Sequence, residues 1–91
     1  MKELEPLRTR IDELDRTLVE LVGQRQTICR EVAEIKKRHG IPMMQSARVE
    51  QVLDRVSALG LSHDVSPDLL RQLYRLIIAE ACRLEDEIID A

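Results

Sequence analysis

The first forty residues constrain the fold more than any other part of this chain. Apolar residues recur there at alternating intervals of three and four, which is the pattern of one apolar helix face. The repeated positions are Leu4, Leu7, Ile11, Leu14, Leu18 and Leu21, then Ile28, Val32 and Ile35. The stretch from Leu4 to His39 therefore predicts one long helix that begins between Glu3 and Leu7, with Gly40 as its C-terminal cap and Pro42 preventing its continuation.

Two cations interrupt this apolar face. Arg25 stands between Leu21 and Ile28, where an apolar residue is expected, and Lys36 follows eleven residues later on nearly the same face. A guanidinium on a core-facing surface costs several kcal/mol unless an anion or hydrogen bonds compensate it. The pattern predicts either a buried acid opposite Arg25 or a binding site for an anionic ligand.

The length of the predicted helix indicates a homodimer. A helix of about 35 residues is about 50 Å long, whereas a compact domain of 91 residues has a radius of gyration of about 12 Å. We expect residues 1–91 to form a single domain whose long helix is buried partly against a second copy of the chain. Gly23 lies mid-helix, where close approach of another helix would compensate its low helix propensity.

Composition excludes several other classes of protein. The net charge is -3, and acids are interspersed with the fourteen basic residues, so no nucleic-acid partner is expected. Cys29 and Cys82 fit neither a disulfide framework nor a metal site, which predicts reduced, partly buried thiols in a cytoplasmic protein. No apolar run reaches the roughly 20 residues of a membrane span, and the charged start is not typical of a signal peptide.

Two further helices complete an all-α prediction of three helices. The second begins at Gln45 or Ser46 and runs to about Leu59, with Gly60 ending it; the third begins at the Ser66-Pro67-Asp68 cap and continues almost to the end. The expected inner face of the second helix contains Val49, Val52, Leu53 and Val56. That of the third contains Leu70, Leu73, Ile77, Ala81, Leu84 and Ile88.

Three charged residues have two interpretations each. Glu85 lies near the apolar positions Ile78 and Cys82, but it also opens a run of three acids, and the residues alone favour an exposed position. Arg8 and Arg48 are either surface charges paired with nearby acids or ligand-binding groups. Arg8 is rotated by roughly 100° from Arg25 around the helix, so it could join Arg25 only from the other subunit of a dimer.

Taken together, the whole chain resembles the small all-α chorismate mutases, which are intertwined homodimers of three-helix subunits. The resemblance rests on Leu7-Arg8-Thr9-Arg10-Ile11-Asp12-Glu13-Leu14-Asp15, on Arg25, Lys36 and Arg48, and on Leu73-Tyr74-Arg75-Leu76-Ile77-Ile78.

The resemblance implies an isomerase. Its reaction is a unimolecular Claisen-type (pericyclic) rearrangement of a dicarboxylate of the shikimate pathway, without covalent intermediate, metal or cofactor. Arg8 of the partner subunit and Arg25 would bind the carboxylates, while Lys36 would contact a carboxylate and the ether oxygen of the breaking bond. Arg48 would frame the ring end. The apolar wall would be formed by Val32, Ile78 and Cys82.

Glu85 occupies a position where many members have a glutamine that donates to the ether oxygen. A carboxylate cannot donate a hydrogen bond, so Glu85 would have to carry a proton or else organise Lys36.

The second helix departs from the family in a way that bears on the substrate. Many members have an Asp-x-x-Arg-Glu pattern there, but this chain has Gln45-Ser46-Ala47-Arg48-Val49 and lacks both acids. The strings Ile41-Pro42-Met43-Met44-Gln45 and Glu80-Ala81-Cys82-Arg83-Leu84-Glu85-Asp86 look more like the branch that rearranges 4-amino-4-deoxychorismate to 4-amino-4-deoxyprephenate. That branch serves p-aminophenylalanine formation in antibiotic biosynthesis. Gln45 and Val49 would then face the amino group.

Three alternatives stay open on the sequence. The chain could convert chorismate to prephenate, or it could be an isochorismate pyruvate-lyase on the same scaffold. It could also be a non-catalytic dimeric helical interaction module, in which Arg25 and Lys36 pair with Glu85 or other acids across the dimer.

Overall fold

Three helices form the described part of the molecule. The computed structural model describes residues 1–42 and 46–91, and in these ranges it contains α1 (Glu5–His39), α2 (Ser46–Ser62), α3 (Pro67–Ile89) and no strand. The all-α prediction is therefore confirmed. The long helix α1 starts inside the expected interval, and its cap Gly40 has a left-handed φ of 64° and donates its N–H to the carbonyl of Lys36.

The predicted end of the second helix was wrong. α2 continues through Gly60 to Ser62, and Gly60 is buried. A Cβ at Gly60 would lie 2.8 Å from the carbonyl oxygen of Val65 and 2.5 Å from Cδ1 of Leu70. Gly60 therefore allows the chain that follows α2 to pack closely against it, rather than ending the helix.

The third helix is the element on which the other two pack. α1 and α2 both contact α3. The buried side chains come from all three helices and comprise Ala33, Val52, Leu53, Val56, Ala81, Leu84 and Glu85. At its start, the hydroxyl of Ser66 accepts a hydrogen bond from the N–H of Leu69 at 3.3 Å, as the capping pattern predicted.

Much of α1 is uncovered in the single chain. Its apolar face remains exposed along the N-terminal half; Leu14, for example, is 65% exposed. The described residues span 56 × 26 × 15 Å with a radius of gyration of 16.6 Å, well above the value of about 12 Å for a compact domain of this length. Among the described residues, no atom beyond the adjoining turns of α1 lies within 4 Å of a Cβ built on Gly23. In residues 1–42 and 46–91, no helix is long and apolar enough to cross a membrane.

Candidate active site

A cavity of about 310 Å³ lies between the three helices. α1 lines it with Arg25, Ile28, Cys29, Val32 and Lys36; α2 with Arg48, Val49, Val52 and Arg55; and α3 with Ile78, Ala81, Cys82 and Glu85. Its walls are mostly apolar, and its charged groups come from all three helices.

Most of the residues predicted for a site meet at this cavity. Those present are Arg25, Lys36, Glu85, Arg48, Val49, Val32, Ile78 and Cys82. Arg8 does not line it: this side chain is exposed on the N-terminal part of α1. The predicted contribution of Arg8 from a partner subunit stays a prediction. Gln45 lies outside the described residues.

Lys36 and Glu85 form an ion pair inside the cavity. Lys36 Nζ donates to Glu85 Oε1 at 3.0 Å, and the two side chains are only 16% and 9% exposed. The exposed position that the residues alone favoured for Glu85 is therefore wrong, whereas the resemblance placed Glu85 at the site. Ala81 and Leu84 are buried beside it on α3, so this carboxylate lies on the packed face and takes Lys36 as its counter-charge. The contact matches the alternative in which Glu85 organises Lys36.

The neighbours of the Arg25 guanidinium are an aromatic ring and a thiol. Its guanidinium carbon lies 5.8 Å from the ring centroid of Tyr74, and Nη1 lies 3.7 Å from the sulfur of Cys29. Among the ion pairs of residues 1–42 and 46–91, none joins Arg25 to a carboxylate. The buried acid that the sequence left open opposite Arg25 is thus found opposite Lys36 instead. The ring of Tyr74 and a sulfur atom are weak compensation for a half-buried guanidinium.

The α2 side of the cavity carries two arginines. Arg48 donates to the Gln51 side chain at 2.7 Å, not to Glu50 or Asp54 as a purely surface role predicted. Asp54 instead accepts a hydrogen bond from Arg71 of α3 at 2.6 Å. Arg55 was not among the predicted site residues. Its spacing of seven residues from Arg48, which is two helical turns, was the available signal.

The two cysteines are half-buried free thiols in the cavity wall, as predicted from their number and spacing. Burial raises the pKa of the Cys82 thiol, and the negative charge of Glu85 raises it further, while Lys36 acts in the opposite direction. Cys82 is therefore protonated at neutral pH and behaves as part of the apolar wall.

Comparison with known proteins connects this geometry to a family. Residues 7–86 match the family model of chorismate mutase type II. Two proteins named 4-amino-4-deoxychorismate mutase, from Streptomyces pristinaespiralis and Streptomyces venezuelae, are each 43% identical over 84 residues, or 92% of this chain. A chorismate mutase of Methanocaldococcus jannaschii is 27% identical over 99% of this chain and 91% of its own length.

The aligned regions differ in how much of each relative they cover. The match spans 65% of the length of the Streptomyces pristinaespiralis protein and 82% of the Streptomyces venezuelae protein. The matched region of this chain includes all of α2, nearly all of α1 and α3, and every residue that lines the cavity. The chain thus belongs to the chorismate mutase type II family, and the prediction of an isomerase is confirmed at the level of that family.

Proposed function

We propose that this chain, as an intertwined homodimer, rearranges 4-amino-4-deoxychorismate to 4-amino-4-deoxyprephenate. The observation that carries the proposal is the cavity between the three helices. Arg25, which has no carboxylate partner among residues 1–42 and 46–91, and Lys36, held by Glu85, line one side of this mostly apolar space. Such a site is suited to a small dicarboxylate, because each carboxylate can replace water around a cation while the carbon skeleton meets the apolar wall.

Binding would supply much of the catalysis. Arg25 and Arg8 of the partner subunit would hold the two carboxylates, so that the flexible side chain of the substrate is fixed over its ring. In the rearrangement, the ether C–O bond breaks while a C–C bond forms within the same molecule. The positive charge of Lys36 would stabilise the negative charge that develops on the ether oxygen. Glu85 fixes the position of Lys36 through their hydrogen bond.

The α2 side bears on the choice between 4-amino-4-deoxychorismate and chorismate. Val49 lines the cavity and cannot accept a hydrogen bond from a ring hydroxyl. An unpaired buried hydroxyl costs roughly 1 to 3 kcal/mol, enough to weaken chorismate tenfold or more. The relatives at 43% identity bear the name of the amino-substrate enzyme, which agrees with this preference.

Conversion of chorismate to prephenate is the second candidate. It is favoured by the relative from Methanocaldococcus jannaschii, which is named chorismate mutase and aligns along nearly the whole chain. The same Arg25 and Lys36 groups would serve this reaction, since the two substrates differ only at the ring substituent.

The test is turnover of 4-amino-4-deoxychorismate, chorismate and isochorismate side by side, with products identified by mass and pyruvate assayed separately. We expect the highest kcat/KM on the amino substrate, without pyruvate release. A preference for chorismate would make the second candidate correct, and pyruvate from isochorismate would indicate a lyase.

Arg25→Ala separates an enzyme from an interaction module. In an enzyme, the variant remains a folded dimer and loses turnover by orders of magnitude, because one carboxylate is no longer held. In a non-catalytic module, the wild type turns over none of the three substrates and Arg25→Ala changes only stability. The Lys36–Glu85 pair alone fits both cases, so Arg25 is the informative position.

A further inference from the structure

Arg55 lines the cavity but has no role in the mechanism described above. No hydrogen bond or ion pair joins its guanidinium to another residue within the described part of the chain. The neighbouring acid, Asp54, is engaged by Arg71 of α3 instead. Arg55 is therefore an exposed cation at the rim of the cavity without a counter-charge of its own.

Contacts with α3 show where Arg55 lies along the cavity. Arg25 on α1 is over the ring of Tyr74, and Asp54 on α2 contacts Arg71. Arg71 and Tyr74 are three residues apart on α3, which is about 4.5 Å along the helix axis. Arg25 and Arg55 thus reach the same cavity at nearly the same level, one from α1 and the other from α2.

The other cations lie toward the opposite end. The Lys36–Glu85 contact is eleven residues beyond Arg25 and Tyr74 on both helices, or about 16 Å along the axis. Arg48 is seven residues before Arg55, about 10 Å toward that end, because α2 runs back from the end of α1. The cavity therefore has one pair of guanidinium groups at its Tyr74 end and the Lys36, Glu85 and Arg48 group at its other end.

The positive charge of Arg25 and Arg55 at the Tyr74 end of the cavity favours binding of an anion. Four cations line the described cavity, namely Arg25, Lys36, Arg48 and Arg55, against the single carboxylate of Glu85. That carboxylate is engaged by Lys36, so neither Arg25 nor Arg55 has a carboxylate partner within the part of the chain that the structure describes. A carboxylate between two guanidinium groups gains charge-assisted hydrogen bonds from both sides. We propose that Arg55 is a further substrate-binding residue, which together with Arg25 binds one carboxylate of the dicarboxylate substrate.

This inference rests on the proposed function for its substrate class, but equilibrium binding tests it separately. Arg55→Gln keeps the length and polarity of the side chain and removes its charge, and Arg55→Lys restores the charge. Arg30→Gln is the matched control, because Arg30 is an exposed arginine of α1 that does not line the cavity. Each full-length variant is titrated calorimetrically with prephenate as a dicarboxylate probe and assayed with 4-amino-4-deoxychorismate.

We expect Arg55→Gln to weaken prephenate binding and raise KM by tenfold or more, with a smaller change in kcat. Arg55→Lys should recover part of the loss, and Arg30→Gln should match the wild type. Wild-type binding and KM in Arg55→Gln would overturn the inference while leaving the proposed function intact. If the wild type binds prephenate but turns over no substrate, the proposed function fails. The titration then still shows whether Arg55 contributes to binding of the dicarboxylate. If the wild type does not bind prephenate, the inference is also wrong.

Discussion

Arg25 depends on Tyr74 for its position over the cavity. A cation above an aromatic face is stabilised by about 0.5 to 2 kcal/mol, according to its exposure, and the ring lies 5.8 Å from the guanidinium. We expect Tyr74→Leu to lower kcat/KM by about threefold to tenfold. Tyr74→Phe keeps the aromatic face and should stay within about twofold of the wild type. Equal losses in both variants would show that the phenol hydroxyl, rather than the ring, is what matters.

Cys82 reports on the electrostatics of the same cavity. Its pKa is raised by burial and then by Glu85, and it is lowered by Lys36. Thiolate reacts with iodoacetamide and thiol does not, so in a Cys29→Ser background we expect slow alkylation at pH 8 that accelerates as the pH rises above 9. Glu85→Gln removes one cause of the raised pKa and should accelerate alkylation at pH 8. Lys36→Met should slow it, because the opposing positive charge is lost.

The measurement is the alkylation rate followed by intact mass across a pH series. The control is the same series on urea-unfolded protein, in which the three backgrounds should react alike. Equal rates in the folded variants would mean that neither charge influences the thiol.

Two helices are joined at the site by the Lys36–Glu85 pair. Removing one member of a buried pair leaves the other charge without compensation and costs about 3 to 5 kcal/mol. We therefore expect Lys36→Met to lower the free energy of unfolding by about 3 kcal/mol. The double variant Lys36→Met with Glu85→Leu should recover most of that stability and remain inactive. Urea unfolding at one protein concentration, together with turnover, separates the structural contribution of this pair from its chemical one.

A stable double variant with normal turnover would remove Lys36 from the reaction. A double variant as unstable as Lys36→Met would instead indicate that packing, rather than charge compensation, accounts for the loss.

The helices could be predicted from local sequence, and their contacts only in part. The apolar rhythm of α1 and the Ser66 cap located two helices closely, because these signals depend on residues near in sequence. Gly60 was misread because the atoms that require a glycine there belong to Val65 and Leu70. The sequence alone does not distinguish a glycine that allows two chain segments to pack closely from a glycine that ends a helix.

The same limit applies to the site. Arg25 and Lys36 could be identified because both interrupt the apolar face of α1. The burial of Glu85 depends on a lysine 49 residues away, and an acid in an acidic run gives no local sign of it. Arg55 had a local signal in its seven-residue spacing from Arg48, but that spacing alone does not show that α2 packs on α3 with both arginines at the cavity.

At the scale of the whole molecule, the apolar face of α1 is uncovered in the single chain. Leu7, Ile11, Leu14 and Leu18 are each at least half exposed in the single chain, and a continuous apolar face of this kind is typical of an interface. The proposed homodimer would bury it and bring Arg8 of the partner subunit toward Arg25. Arg8 and Arg25 of one chain would then belong to two different sites.

Complementation tests this shared site directly. Arg8→Ala and Arg25→Ala homodimers should both be inactive, because every site lacks one arginine. When the two variants are co-expressed with different tags, a heterodimer has one site with both defects and one site with neither. Random pairing makes about half of the dimers mixed, so about a quarter of wild-type activity should return. Purification through both tags should raise this to about half.

The matched control is co-expression of Arg25→Ala with Lys36→Ala. Both residues line one cavity within a single chain, so every site of this heterodimer keeps one defect and no activity should return. Recovery in the first pair but not the second requires that Arg8 acts across the subunit interface. If the first pair shows no recovery although purification through both tags yields mixed dimers, Arg8 does not act in the site of the partner subunit. The proposal of a shared site would then be wrong, and each site would be complete within one chain.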